Sequence, residues 1–154
     1  MAYKKAKSKR MPSYILIGEG FDELEVVSVI HKFRRAGLRI QSVSLFDRLV
    51  YGRQGLAIKT DHQLADNPFP PGSDCLLILP TGGRNEEALR RDARVKTLLL
   101  AMGRAGGRVA VTAEGSHLAE DVRSLTDCPT YQPEGYQDFT AFVDMLADRV
   151  AHGI

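Results

Sequence analysis

The sequence predicts an α/β fold, a three-layer αβα sandwich with helices on both faces of a mostly parallel sheet. Three observations lead there. Strand-like and helix-like patterns alternate at least three times, which calls for parallel strands joined by right-handed crossovers. CLLILP, Cys75 to Pro80, is a continuous apolar run of the kind found where a strand is covered on both faces. Small-residue turns follow the candidate strands and lead into helix-like patterns, as at the carboxyl ends of strands in open α/β sheets.

Each element has its own signal. Tyr14 to Ile17 is a short β-forming run closed by Gly18 and Gly20, and reads as a buried strand. Val26, Val27, Ile30 and Phe33 then recur at helical spacing until Gly37, giving an amphipathic helix of about four turns. Arg39 to Leu45 alternates into a second strand, and Leu49 to Lys59 reads as two short strands around GRQG. After CLLILP, Val95, Leu98, Leu99 and Met102 mark a helix, with Gly106-Gly107 expected as its left-handed C-cap. A strand follows over Arg108 to Thr112, then a short helix from about Ser116 to Leu125. Last, Asp138 caps a helix whose Phe139, Phe142, Val143, Leu146 and Val150 share one face.

Composition narrows the class. The 154 residues suit one domain, expected over 13–154, and the 44% hydrophobic and 26% charged fractions are ordinary for a globular chain. No apolar run approaches the roughly 20 residues that span a bilayer. Residues 1–12 read as a flexible basic arm: Lys4, Lys5, Lys7, Lys9 and Arg10 account for the sign of the net charge, which falls from +2 to −3 when those five are set aside. Without a secretory h-region after the arm, a cytoplasmic location is expected. Cys75 and Cys128 are too few for a disulfide framework. The four histidines show no HxH or HExxH spacing, so no metal and no cofactor are expected.

The three strand ends GEGFDELE, LPTGGRNEE and VTAEGSH are where a site should lie. Their glycines fit neither a GxxxxGK[ST] loop nor a GxGxxG fingerprint, so tight turns are the first reading and phosphate binding the second. Asp22 with Glu25 three residues on has the form of a capping box. Thr112, at the tip between strand and helix, sits where a nucleophile elbow would place its reactive residue.

In order and spacing these motifs resemble the ThiJ/PfpI superfamily, with its flavodoxin-like, class I glutamine-amidotransferase-like fold. The resemblance covers Tyr14 to Leu118, and the Asp138 helix also fits. It implies a strand-to-helix elbow carrying a cysteine, a glutamate on the first helix that hydrogen-bonds it, and backbone N–H groups after a glycine turn that form an oxyanion hole. Glu25 matches the glutamate, Gly82 and Gly83 match the turn with Thr81 as a departure, and Thr112 stands in the cysteine's place. Ala113, Glu114 and His117 complete the candidate binding positions, with Glu114 where the family has a small residue or the glycine. The short interval before the last helix implies a sheet trimmed at one edge. The resemblance also implies a homodimer and a role in stress response.

A cysteine in such surroundings becomes a thiolate; a threonine hydroxyl does not, and needs a dedicated base. Glu25 is a poor base for that task, and His117 lies more than a helical turn from Thr112. Three function classes follow. The first is a non-catalytic member, a pseudoenzyme that binds a small metabolite or a protein partner. The second is a hydrolase or lyase of glyoxalase, deglycase or peptidase type using Thr112 with Glu25, Glu114 or His117. The third, least supported, is a nucleic-acid-associated subunit acting through the Lys-rich arm, since no recognised binding motif accompanies the charge.

Overall fold

The computed structural model describes residues 11–70, 74–134 and 138–152. The basic arm predicted over residues 1–12 therefore lies, except for its last two positions, outside the described residues. Six parallel strands form one sheet in the order β5-β2-β1-β6-β7-β8. They are β1 (Ser13–Ile17), β2 (Ile40–Ser44), β5 (His62–Gln63), β6 (Leu76–Leu79), β7 (Arg108–Val111) and β8 (Thr130–Tyr131). Strands β3 (Leu49–Tyr51) and β4 (Ala57–Lys59) make a separate antiparallel hairpin. The sheet ends in a two-residue strand at either edge, which leaves little unpaired backbone to template another chain.

Alternation along the central strands divides the core in two, because successive side chains face opposite ways. Leu76 and Ile78 of β6 join Ile15 and Ile17 on the face covered by α1 (Glu23–Arg35) and α5 (Phe139–Ala151). Leu77 and Leu79 join Leu16 and Val43 on the face covered by α2 (Asn85–Arg91), α3 (Ala93–Met102) and α4 (His117–Leu125). All four residues of β6 are buried, as its unbroken apolar run requires. The three-layer sandwich is thus the predicted architecture.

Details depart from the prediction. On α1 the core side is formed by Val26, Val29 and Phe33, while Val27 is 43% exposed. Between β6 and β7 there are two helices rather than one, because Asp92 in an extended conformation ends α2 and caps α3, accepting from Arg94 N at 2.9 Å. Helix α2 escapes periodicity because Leu89 is its one fully buried large apolar residue. The left-handed cap expected at Gly106-Gly107 does not form. Instead α3 stops at Gly103 with φ −63, and neither Gly106 nor Gly107 has a positive φ.

Candidate functional site

The carboxyl ends of β1, β6 and β7 converge on one small polar cluster. The first contribution comes from α1, whose N-cap Asp22 accepts from Glu25 N at 3.0 Å. The capping box remains half made. Glu25 Oε1 accepts instead from Gly82 N at 3.0 Å, across 57 residues of sequence. That contact depends on glycine, since a Cβ at position 82 would stand 2.8 Å from Asp22 Cβ and 3.0 Å from Glu25 Oε1. Gly83 takes φ +61, and a Cβ there would collide with the Gly20 carbonyl oxygen. The two glycines let the β6 turn lie directly on the β1–α1 loop.

Thr112 enters from β7, one residue beyond the strand, and is 6% exposed. Its Oγ1 accepts from Thr81 N at 2.8 Å and lies 3.1 Å from the Thr81 hydroxyl. The Thr112 hydroxyl is also close enough to the Glu25 carboxyl to favour its charged form. The Thr81 amide occupies one lone pair of Thr112 Oγ1, and in the hydroxyl pair either oxygen serves as the donor. Burial pushes the Glu25 carboxyl above its ordinary range. The Gly82 N–H and the Thr112 hydroxyl pull it back, and the nearby Asp22 carboxylate adds to the rise.

The backbone carries equally specific information. A nucleophile elbow presents its residue on a sharp, strained turn, yet Asn67 is the sole non-glycine with positive φ among the described residues. Thr112 is therefore in ordinary backbone, as a β-branched side chain prefers. An oxyanion hole needs donors aimed at an open position. Here the Thr81 and Gly82 amides are bonded to the site's own oxygens. The positive end of α4 is likewise engaged: Leu118 N donates to Glu86 Oε2 at 2.8 Å and Ala119 N to the N-cap Ser116 Oγ at 3.0 Å.

Glu25, Thr112 and Gly82 are thus brought together, with Gly83 behind them. Ala113 is half-buried and Glu114 exposed on the turn that follows. His117 is exposed on α4, its Nδ1 3.8 Å from Glu120 Oε1, over the groove between α2 and α4 rather than beside Thr112. Cys75 immediately precedes β6 in the core, where burial, Asp74 and Cys128 push its thiol up to about 12. Half-buried Cys128 donates to Met102 O at 3.1 Å. No group of residues among those described is arranged to hold a metal ion, and no helix among them is long and apolar enough to cross a membrane.

Sequence reasoning overlooked three members of this neighbourhood. Thr81, noted only as an irregularity of the glycine turn, is the direct partner of Thr112. Asn85, fully buried, accepts from Gly18 N at 2.6 Å and donates to Leu16 O and Pro80 O, tying β1 to β6. Glu23 Oε2 accepts from Gln54 N at 2.7 Å and Leu56 N at 3.2 Å, fastening the hairpin to α1. A buried asparagine in GGRNEE and a glutamate in FDELE carry no periodic signal that would set them apart from surface residues.

A sequence profile of the DJ-1/PfpI family matches residues 12–142. The chain belongs to the DJ-1/PfpI family. Among solved structures it is similar to DJ-1beta of Drosophila melanogaster, at 18% identity and a TM-score of 0.73, covering 93% of this chain and 91% of that one. DJ-1 of Schizosaccharomyces pombe is similar at 15% identity and a TM-score of 0.66, covering 94% and 91%. A curated deglycase of Thermococcus kodakarensis is 27% identical over 108 residues, which are 70% of this chain and 63% of that protein. The chain therefore matches less than two thirds of that relative's length.

Proposed function

We propose that this DJ-1/PfpI protein is a non-catalytic member that serves as a dimeric binding module, with a small molecule received at the strand ends. One observation carries the reading. The Thr112 oxygen, in the position where the family resemblance puts a cysteine, is hydrogen-bonded to Thr81, with the Glu25 carboxyl nearby. A hydroxyl with no histidine beside it and only a carboxyl nearby lacks the dedicated base that forming an alkoxide requires, because Glu25 is too weak a base to hold the proton. The occupied Thr81 and Gly82 amides and the unstrained backbone support the same conclusion.

Dimerisation is part of this proposal and rests on exposed apolar surface. Leu24 (81% exposed) and Val27 on α1 and Leu49, Tyr51 and Leu56 of the hairpin are exposed, and Glu23 holds the hairpin against the first turn of that helix. Burying such side chains against a second copy is favourable at ~25 cal/mol per Å² of apolar area.

A second reading, turnover by Thr112 in the manner of a hydrolase or lyase, is favoured by the similarity to the Thermococcus deglycase. The two are separated by comparing wild type with Thr112→Ala on methylglyoxal, a nitrophenyl ester and a peptide. Equal rates at background are expected; a wild-type rate that disappears in the variant overturns the non-catalytic reading.

A further inference from the structure

Beside the Glu25–Thr112 cluster, the hairpin and the β6–α2 turn enclose a polar cleft of about 660 Å³ between Arg53 and Arg84. We infer that these two arginines form a subsite for the oxyanion of a small ligand, a carboxylate or a phosphate, and so define the chemical class of molecule received at the strand ends. The inference rests on the binding-module reading and adds the ligand's charge and the residues that grip it.

The pair is built by backbone contacts rather than by chance proximity of flexible side chains. Arg53 N donates to Phe21 O at 2.9 Å and Arg84 N to Gly20 O at 2.8 Å. Two residues 31 apart in sequence are thus anchored on consecutive carbonyls of the same β1–α1 loop. The hairpin is further fixed by Gly20 N donating to Tyr51 O at 2.8 Å, and the Arg84 side-chain carbons lie over Gly20. Arg34, Arg90, Arg91 and Arg94 each face a carboxylate within 4.0 Å, whereas neither Arg53 nor Arg84 has a side-chain partner among the described residues. Glu19 shares the cleft, but its Oε2 accepts from Tyr51 N at 3.3 Å and pairs with neither arginine. The cleft is left with one net positive charge and two planar donor forks, which suit a carboxylate or phosphate oxygen pair. Gly83 borders the cleft and its neighbour Gly82 holds Glu25, so the cleft adjoins the Thr112 cluster through the glycine turn.

The test is a titration of the full chain with inorganic phosphate and, separately, glycolate, following amide resonances at an ionic strength matched with sodium chloride. Both Arg53→Gln and Arg84→Gln keep the aliphatic stem, and an otherwise unchanged amide spectrum verifies the fold. Saturable shifts at Gly20, Gly52 and Gly83 are expected, weakened at least about tenfold in either variant, as loss of a charged hydrogen-bonding group requires. Arg84→Lys should recover only part of the affinity. Preference for one probe identifies the ligand group as phosphate or carboxylate. Shifts no larger than those from chloride, or unchanged in both glutamine variants, overturn the subsite and leave the non-catalytic reading intact. Turnover lost in Thr112→Ala would do the reverse.

Discussion

Replacing Thr112 by valine removes the hydroxyl and keeps the shape, so it isolates what the central hydrogen bonds contribute. In the native cluster the oxygen receives the Thr81 amide at 2.8 Å and meets the Thr81 hydroxyl at 3.1 Å, with the Glu25 carboxyl nearby. Thr112→Val strands the Thr81 N–H, at ~1–3 kcal/mol for an unsatisfied donor, and withdraws one stabilising contact from a partly buried carboxyl. A loss of about 2 kcal/mol is expected, which in a chain of this size lowers Tm by roughly 4–8 °C. Thr112→Ser keeps the oxygen and deletes one methyl, at about 1 kcal/mol or less. Urea denaturation of the three proteins, with m-values compared to verify two-state behaviour, reads the difference directly. The reasoning is refuted if the valine variant is as stable as wild type, or if serine costs as much as valine.

Three further outcomes follow from the same contacts. Because burial raises the Glu25 pKa, that group stabilises the fold fully below its unfolded value of about 4.5 and loses the contribution as pH rises through the raised folded value; relative to Glu25→Gln, wild type should be less stable at about pH 7 than at about pH 4, seen by denaturation at both. Glu23→Ala leaves the Gln54 and Leu56 amides without their acceptor, so their hydrogen exchange should accelerate about tenfold or more while β6 amides are unchanged. Gly83→Ala combines φ +61 with a collision at the Gly20 carbonyl and should cost at least about 2 kcal/mol by thermal or urea unfolding.

The fold was legible where burial imposes a period. Leu76 to Leu79, covered on both faces, and α5, with Phe142, Val143, Leu146 and Val150 on one side, could hardly read otherwise. Helix α2 was not legible, because one fully buried leucine makes no period, and β5 and β8, two residues each, are too short to alternate. The site was legible in part. Glu25 and Thr112 stood out by position in a chain of motifs, and they do meet. Their partners did not stand out, since the Thr81–Thr112 bond spans 31 residues and the Gly82–Glu25 bond 57. Such contacts are set by strand order and not by any local pattern. The same holds for Arg53 and Arg84, whose nearness arises because two distant loops anchor on adjacent carbonyls.

The claim that Thr112 is a structural tie and not a nucleophile is tested most directly by trapping. Wild-type protein incubated with an excess of nitrophenyl acetate, quenched in acid and peptide-mapped by mass spectrometry, would carry an acyl group on any activated hydroxyl. The account predicts no adduct on the peptide containing Thr112, whether or not lysines elsewhere are acetylated. An acyl group on the Thr112 oxygen that increases with time and falls in Glu25→Gln would contradict it.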